Sequence, residues 1–217
     1  MRSHFEHELD TVRANLITLG QMAATAIRRA QASLQQRDRS WAQRVVAEDA
    51  PINEAAAQLE AHVLHIIVTQ QPVAKDLRRL IAALKMSREI ERIADYAKGI
   101  ARIVVRAADQ LPSDLPSELL ALCDQAVSML EAVIAAFAAQ DVAAATALRE
   151  DDYVADDLYA RAEAAIVSRI QQDPAAVPWG TRLLLIAHNM ERAADRATNI
   201  AESVVFMAVG EIVDLNP

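Results

Sequence analysis

The second half of this chain repeats the first, and the repeat restricts what the chain can fold into. The stretch ERIADYAKGIA at 91–101 matches ERAADRATNIA at 191–201, with seven of the eleven positions identical. Earlier in the two halves the alignment runs without gaps and places Asp38 on Asp141. Chance similarity between two alanine-rich helices would not reproduce the Glu-Arg-x-Ala-Asp core. The repeat is too long for a solenoid unit, so it predicts two similar domains in tandem.

Composition indicates that both halves are helical. About one residue in five is alanine, the best helix former, whereas glycine occurs only 4 times and aromatic residues make up 4% of the chain. A β-sandwich or barrel would need a turn about every 8–12 residues. We therefore predict an all-α fold of two tandem, internally duplicated three-helix bundles. The predicted helices, separated by prolines and polar residues, are 4–36, 39–70, 73–109, 116–139, 141–172 and 179–210.

The predicted connection between the bundles is the segment AADQLPSDLPS at 107–117, which holds two prolines. The bundles are then residues 1–110 and 111–217. Asp38 and Asp141 each stand directly before a predicted helix. An aspartate in this position accepts a hydrogen bond from the unpaired amides of the first turn. We therefore interpret both residues as helix N-caps with no further role.

Charge and residue usage exclude several classes of function. With 22 basic and 30 acidic residues, net −8, the chain repels phosphate backbones, and we expect no nucleic-acid partner. Cys123 is the only cysteine, which excludes internal disulfides and suits a reducing cytosol. The longest uninterrupted apolar run is about 8 residues, against about 20 needed to cross a bilayer. Nucleotide-binding, zinc-protease and CxxC motifs are absent. We therefore expect a soluble protein without membrane insertion, and no catalytic site is visible in its sequence.

Four pairs of acidic or amide residues recur at a spacing of i, i+4. On an α-helix this spacing puts both side chains on one face, about 40° apart. Two carboxylates so placed repel each other, and selection for solubility alone would rather place Lys or Arg there. Carboxylates that converge from two neighbouring helices can bind a hard cation, iron or manganese. The pairs are Asp49 and Asn53, Glu91 and Asp95, Asp152 and Asp156, and Glu191 and Asp195. In the third pair Asp151 is the alternative to Asp152, and the position of Tyr159 favours Asp152.

The alternative interpretation of these pairs is a solvated acidic face whose charges are bridged by basic residues, and the spacing leaves both open. The candidates for bridging are Arg88, Arg92, Lys98 and Arg102 on the third helix and Arg192 and Arg196 on the sixth. On the metal interpretation we expect the carboxylates in shallow grooves between helices. His188 stands three residues before Glu191, which reverses the order of the Glu-x-x-His pair of di-iron bundles. Because that architecture needs the pair on two helices and this one occurs once, we interpret His188 as an accessory ligand at most. His62 and His65 have no histidines at their duplicate positions, so we interpret them as partly buried or surface residues.

These motifs, with their surroundings, resemble a known family. The Glu-Arg-x-Ala-Asp runs at 91–95 and 191–195 are accompanied by QQPVAKDLRRL at 70–80 and REDDYVADDLY at 149–159. In this order and at these distances they resemble the PhoU family of phosphate uptake regulators, over about residues 5–210. The resemblance implies two tandem three-helix bundles whose motif positions bind multinuclear iron or zinc clusters in some members. Those positions are here Asp49, Asn53, Glu91, Asp95, Asp152, Asp156, Glu191 and Asp195.

The resemblance also implies a function. Members of the family act without known catalysis as negative regulators that link the phosphate ABC transporter, through its ATPase subunit, to the phosphate-sensing histidine kinase. They repress the phosphate-starvation response. By resemblance we therefore expect a cytoplasmic signalling adaptor that forms a homodimer or a higher oligomer. Its expected metal is iron or zinc, with manganese and magnesium as further candidates.

Departures from the family pattern predict that the two halves differ in metal affinity. Pro51 lies between Asp49 and Asn53 and is expected to bend the helix and separate the pair. Asn53 is also neutral, and we expect Arg88 and Arg102 to compete with a metal for the carboxylates. The C-terminal set should therefore bind metal more tightly.

Two other classes of function compete with the adaptor. One is a carboxylate-bridged metal-storage or redox helical bundle, which would need Glu-x-x-His motifs on two helices and buried ligands. The other is a plain helical scaffold whose acidic stripes only improve solubility.

Overall fold

The computed structural model describes residues 2–216, which form six long α-helices and no strands. The predicted all-α fold of duplicated three-helix bundles is therefore confirmed. Short 3₁₀ turns follow α3 and precede α6, at Ala108–Gln110 and Pro174–Ala176. Met1 and Pro217, the outer ends of the two predicted halves, lie outside the described residues. The helices are α1 Arg2–Gln36, α2 Arg39–Gln70, α3 Ala74–Ala107, α4 Ser117–Ala139, α5 Val142–Gln172 and α6 Val177–Val209.

The start of α6 lies two residues before the predicted one. Pro178 stands in the first turn of this helix. A proline is tolerated there because the first-turn amides have no intrahelical partner to lose. The helix therefore begins at Val177 and not after the proline.

Both predicted N-caps are confirmed, and they share one geometry. Asp38 accepts a hydrogen bond from the amide of Trp41 at 2.9 Å, and Asp141 accepts one from the amide of Ala144 at 3.0 Å. The two aspartates also have nearly equal backbone angles, φ −88° and ψ 101° against φ −90° and ψ 100°. The sequence duplication therefore extends to the backbone at the starts of α2 and α5.

One apolar core runs through both halves. Within each half the third helix packs on the other two, and α1 also packs on α4 and α3 on α6. The apolar spacing of the third helix predicts that one of its sides faces the first core, and the residues of that side are completely buried. The two bundles are thus joined by their helices as well as by the connecting segment. The buried positions in question are Ile90, Ile93, Ile100 and Val104.

The α3–α6 contact relates the halves by an approximate twofold axis. Glu89 on α3 accepts hydrogen bonds from Arg196 at 3.0 Å and from Asn199 at 3.5 Å. The duplicate of Glu89 is Asn189, and the duplicate of Asn199 is Gly99. Asn189 faces Gly99 so closely that a Cβ atom added to Gly99 would lie 3.2 Å from Asn189 Nδ2. Such reciprocal contacts are those of an isologous interface. The two helices therefore pack antiparallel, with equivalent faces together.

By length and composition alone, α4 is the one helix among the described residues that is long and apolar enough to span a membrane. The count of uninterrupted apolar residues missed it, because Asp124 and Glu131 divide its apolar stretches. Leu122 and Leu130 of α4 are completely buried in the common core. A core helix meets the same criteria as a membrane span, so this composition is accounted for by packing.

Candidate functional site

Each half brings its two motif pairs together on neighbouring helices. The first pair of each half lies on α2 or α5 and the second on α3 or α6, and these helices pack against each other. We call Asp49, Asn53, Glu91 and Asp95 the N-terminal carboxylate set. Asp152, Asp156, Glu191 and Asp195 are the C-terminal carboxylate set.

The N-terminal set is built around a buried aspartate that already has partners. Asp49 is only 4% exposed. Its Oδ2 atom accepts a hydrogen bond from Asn53 Nδ2 at 3.0 Å and a second from the ammonium group of Lys98. Lys98 Nζ also lies 3.9 Å from Asp95 Oδ1. A cation of the chain itself therefore stands between the carboxylates of α2 and α3.

One expectation for the N-terminal set is wrong. Pro51 does not separate the first pair, since Asp49 and Asn53 remain hydrogen-bonded one turn apart. Arg88, the first predicted competitor of a metal, lines one groove with Glu91 and forms its ion pair with Glu60, whose Oε1 lies 3.6 Å from Arg88 Nε. Its competition with a metal stays a prediction. The predicted second competitor, Arg102, is exposed.

Two further members of the N-terminal set face a groove. Glu91 and Asn53 line an open groove of about 430 Å³ that also contains Arg92 and Arg196. Arg92 Nη1 lies 3.7 Å from Asp95 Oδ2. The negative charge of this half is thus surrounded by basic groups.

The C-terminal set has the same layout but a different partner for its buried aspartate. Asp152 is 2% exposed, and its Oδ1 atom accepts a hydrogen bond from Thr198 Oγ1 at 3.1 Å. Thr198 occupies the position that Lys98 occupies in the first half. Asp156 is exposed, and Glu191 and Asp195 are partly buried. The expectation of a shallow groove is therefore wrong for Asp49 and Asp152, which lie in the interior.

Among the described residues no Lys or Arg forms an ion pair with the C-terminal set. The two arginines beside it on α6 are engaged across the interface with α3. Arg192 donates a hydrogen bond to the Tyr96 hydroxyl at 3.3 Å, and Arg196 donates to Glu89 at 3.0 Å. The interpretation that arginines bridge these carboxylates is not supported in this half.

Burial and mutual repulsion raise the pKa values of the C-terminal set, and Arg192 only partly opposes this for Glu191. Burial raises the pKa of Glu191 to about 7, and repulsion from Asp195 and Asp156 adds to the increase. Burial also raises the pKa of Asp152 to about 6, against the opposing effect of the Thr198 hydrogen bond. The pKa of Asp195 is raised as well, again mainly by burial. Four carboxyl groups thus lie in one another's field, and a bound cation would relieve their repulsion.

The C-terminal set has suitable donors for a metal, although they are not arranged as a finished centre. Glu191 Oε2 is buried without a hydrogen bond, and His188 Nδ1 lies 3.5 Å from it. No three His, Cys, Asp or Glu side chains converge around a single point within the part of the chain that the structure describes, and His62 and His65 belong to no such group there. Carboxylate oxygens with one imidazole suit iron, zinc or manganese. These side chains would have to turn toward such an ion.

Comparison with known proteins identifies both halves. The PhoU domain model matches residues 16–104 and again residues 119–204. A protein of Streptococcus pneumoniae, named phosphate-specific transport system accessory protein PhoU homolog, is 28% identical over 216 residues and covers 100% of both chains. A relative of the same name from Zymomonas mobilis is 33% identical over 208 residues, which are 95% of this chain and 87% of that one.

Solved structures agree with this assignment. The crystal structure of PhoU from Pseudomonas aeruginosa superposes with a TM-score of 0.90 at 28% identity, over 95% of this chain and 100% of that one. The phosphate transport system regulatory protein PhoU from Streptococcus pneumoniae gives a TM-score of 0.89 at 27% identity, over 97% and 99% of the two chains. With both repeats matched and the fold shared along nearly its whole length, this chain belongs to the PhoU family.

Proposed function

We propose that this protein is a non-enzymatic accessory regulator of phosphate uptake. The observation that carries the proposal is a relative named phosphate-specific transport system accessory protein that aligns with 100% of this chain. The PhoU domain model matches a segment in each half of the chain. Burial raises the pKa of Cys123 to about 12, which keeps this thiol protonated and unreactive at neutral pH. These features favour a signalling protein over an enzyme.

In this proposal the protein acts in the cytoplasm between two partners. It contacts the phosphate ABC transporter through the ATPase subunit, and it passes the transporter's state to the phosphate-sensing histidine kinase. When phosphate is abundant, it keeps the kinase from activating the starvation response. It works as a homodimer or a higher oligomer. Family membership and the names of its relatives support these roles.

The C-terminal carboxylate set binds a metal ion in this proposal, iron or zinc, with manganese or magnesium as further candidates. The raised pKa values of Glu191 and Asp152 support it, because they come from burial and from repulsion among these carboxylates, which a bound cation would offset. The ion would offset the negative charge of this set and would take no part in a reaction. Asp152, Asp156, Glu191 and Asp195 would hold it, with His188 as an accessory ligand. A redox or storage bundle is disfavoured, since the sequence carries this His-x-x-Glu motif once and not on two helices.

Deletion of the gene in its source organism tests the regulatory role. We expect alkaline phosphatase to become constitutive in phosphate-rich medium, and plasmid-borne wild-type protein to restore repression. The Glu191→Ala/Asp195→Ala variant in the same complementation assay shows whether the C-terminal set is needed for regulation. Tight repression in the deletion strain would contradict the proposed function.

A further inference from the structure

Lys98 and Thr198 stand at equivalent positions of α3 and α6, three residues after Asp95 and Asp195. Each reaches the buried aspartate of its own half. The Lys98 ammonium donates to Asp49 Oδ2, whereas Thr198 Oγ1 donates to Asp152 Oδ1 at 3.1 Å. The duplication thus places a full positive charge in one carboxylate set and a neutral hydroxyl in the other.

We propose that the Lys98 ammonium is the resident cation of the N-terminal carboxylate set, so that this half binds no metal. The confinement of metal to the C-terminal set rests on the proposed function. The assignment of Lys98 itself rests on the contacts of the N-terminal half and can be tested without metal.

Burial makes the Lys98–Asp49 pair hard to displace. The Lys98 side chain is 19% exposed and that of Asp49 is 5% exposed, so both charges have lost most of their water. Breaking a buried ion pair leaves an uncompensated charge, which is strongly unfavourable. A metal ion that took Asp49 Oδ2 would have to expel the ammonium group and also overcome its repulsion. The same ammonium group lies 3.9 Å from Asp95 Oδ1 on α3, so expelling it would remove favourable contacts with carboxylates of both α2 and α3.

The N-terminal set nevertheless keeps oxygen atoms that a metal could use once the ammonium is removed. Asp49 Oδ1 and Asn53 Oδ1 are both buried without a hydrogen-bond partner. Asp95 and Glu91 lie on the neighbouring helix. Lys98→Thr, which installs the residue of the second half, should therefore open this set to a metal ion.

The first experiment exchanges the duplicate residues. Three proteins are purified metal-free, without a nickel column, and loaded with Zn²⁺: wild type, Lys98→Thr and Thr198→Lys. The bound metal is measured by mass spectrometry. We expect Lys98→Thr to retain more zinc than wild type, and the added zinc to be lost on Asp49→Asn in the same chain. Thr198→Lys should lose the zinc of the wild type. Circular dichroism checks that each variant is folded.

The second experiment needs no metal. Thermal unfolding of the metal-free protein is compared for Lys98→Met, Asp49→Asn and the double variant. We expect Lys98→Met to lower the unfolding midpoint clearly, and to lower it much less in the Asp49→Asn background, where no buried aspartate is left unpaired. Equal losses in both backgrounds would overturn the assignment of Lys98.

The outcomes separate the two claims. Wild-type zinc that is removed by Asp49→Asn and spared by Glu191→Ala/Asp195→Ala would overturn the Lys98 proposal. So would a Lys98→Thr variant that gains no zinc while the C-terminal set still binds it. Wild type without any bound zinc, together with a clear dependence of Lys98→Met on Asp49, would contradict the proposed metal function and support the Lys98 assignment.

Discussion

Arg28 forms an ion pair with Glu131, the residue that occupies its own duplicate position in the second half. Its Nη1 atom lies 2.6 Å from Glu131 Oε1, and both side chains are about half exposed. A residue can contact its own duplicate only where the approximate twofold axis passes between the two. The α1–α4 contact is thus organised by the same symmetry as the α3–α6 contact.

This position on the axis makes a charge exchange informative. In R28E/E131R the two side chains trade places across the axis, and the pair should form again with similar geometry. We expect R28E alone to lower the free energy of unfolding by up to about 1 kcal/mol, since exposed pairs contribute about 0.2–1 kcal/mol. The double variant should recover most of that loss. Denaturant unfolding at low and high salt measures it, and a double variant no more stable than R28E would speak against the axis.

The two helix caps should contribute equally to stability. Asp38→Ala and Asp141→Ala each remove one hydrogen bond to a first-turn amide, and the two bonds have matching geometry. We expect each variant to lose about 0.5–2 kcal/mol of unfolding free energy. Asp38→Ser and Asp141→Ser keep an acceptor and should lose less. A loss in one half alone would show that the caps are not energetic duplicates.

Most of the fold follows from local signals in the sequence. Prolines, apolar spacing and the capping aspartates act over a few residues, so the helix bounds could be predicted to within about two residues in most places. The antiparallel α3–α6 contact could not, because apolar periodicity identifies the buried face of a helix and not its partner. The signal available for this contact was the duplicated pair Glu89 and Asn189. The pair becomes meaningful only once α3 and α6 are known to pack against each other.

The candidate site shows the same division. Spacing placed the motif residues correctly on shared faces, but it could not give their depth, and so Asp49 and Asp152 were expected in grooves. Lys98 was among the basic residues expected to bridge the acidic face, whereas Arg88 and Arg102 were singled out as the cations that compete with a metal. The contact of Lys98 with Asp49 on α2 could not be predicted, because the position of a residue around its own helix does not give its partner on another helix. The mismatch of Lys98 with Thr198 inside the most similar stretch was the signal that the two carboxylate sets have different partners.

The metal-free protein should lose stability as the pH rises toward neutrality. The pKa of Glu191 rises from 4.5 to about 7 in the folded chain, so the folded state holds this proton more tightly than the unfolded state. The contribution is fully present below about pH 4.5 and is lost as the pH rises through about 7. Asp152 acts in the same direction, from 3.8 to about 6. Glu191→Gln imitates the protonated form and should remove part of this dependence.

Thermal unfolding between about pH 4 and pH 8, in the presence of a chelator, measures the effect. Glu191→Gln should gain stability over wild type as the pH increases. The exposed Glu163 on α5 provides a matched control, and Glu163→Gln should follow the wild-type profile. Parallel profiles for wild type and Glu191→Gln would contradict the predicted role of Glu191.

The two halves of the protein should differ in metal binding. Asp95 and Asp195 are duplicates, but Asp95 lies beside Lys98 and Arg92, whereas the C-terminal set lacks such ion pairs among the described residues. Each anionic ligand lost from a hard-cation site weakens it, and a nearby cation opposes binding. Titration of metal-free protein with Zn²⁺ should therefore show that Asp195→Ala weakens or removes zinc binding and that Asp95→Ala spares it. The Glu191→Ala/Asp195→Ala variant should lose binding while remaining folded, because both side chains lie outside the apolar core and their mutual repulsion is relieved. Asp151→Ala, next to the buried Asp152, serves as the control and should bind like wild type. If Asp95→Ala weakened or removed zinc binding instead, the ranking of the two halves would be reversed, and the N-terminal set would have to displace its own lysine to bind the ion.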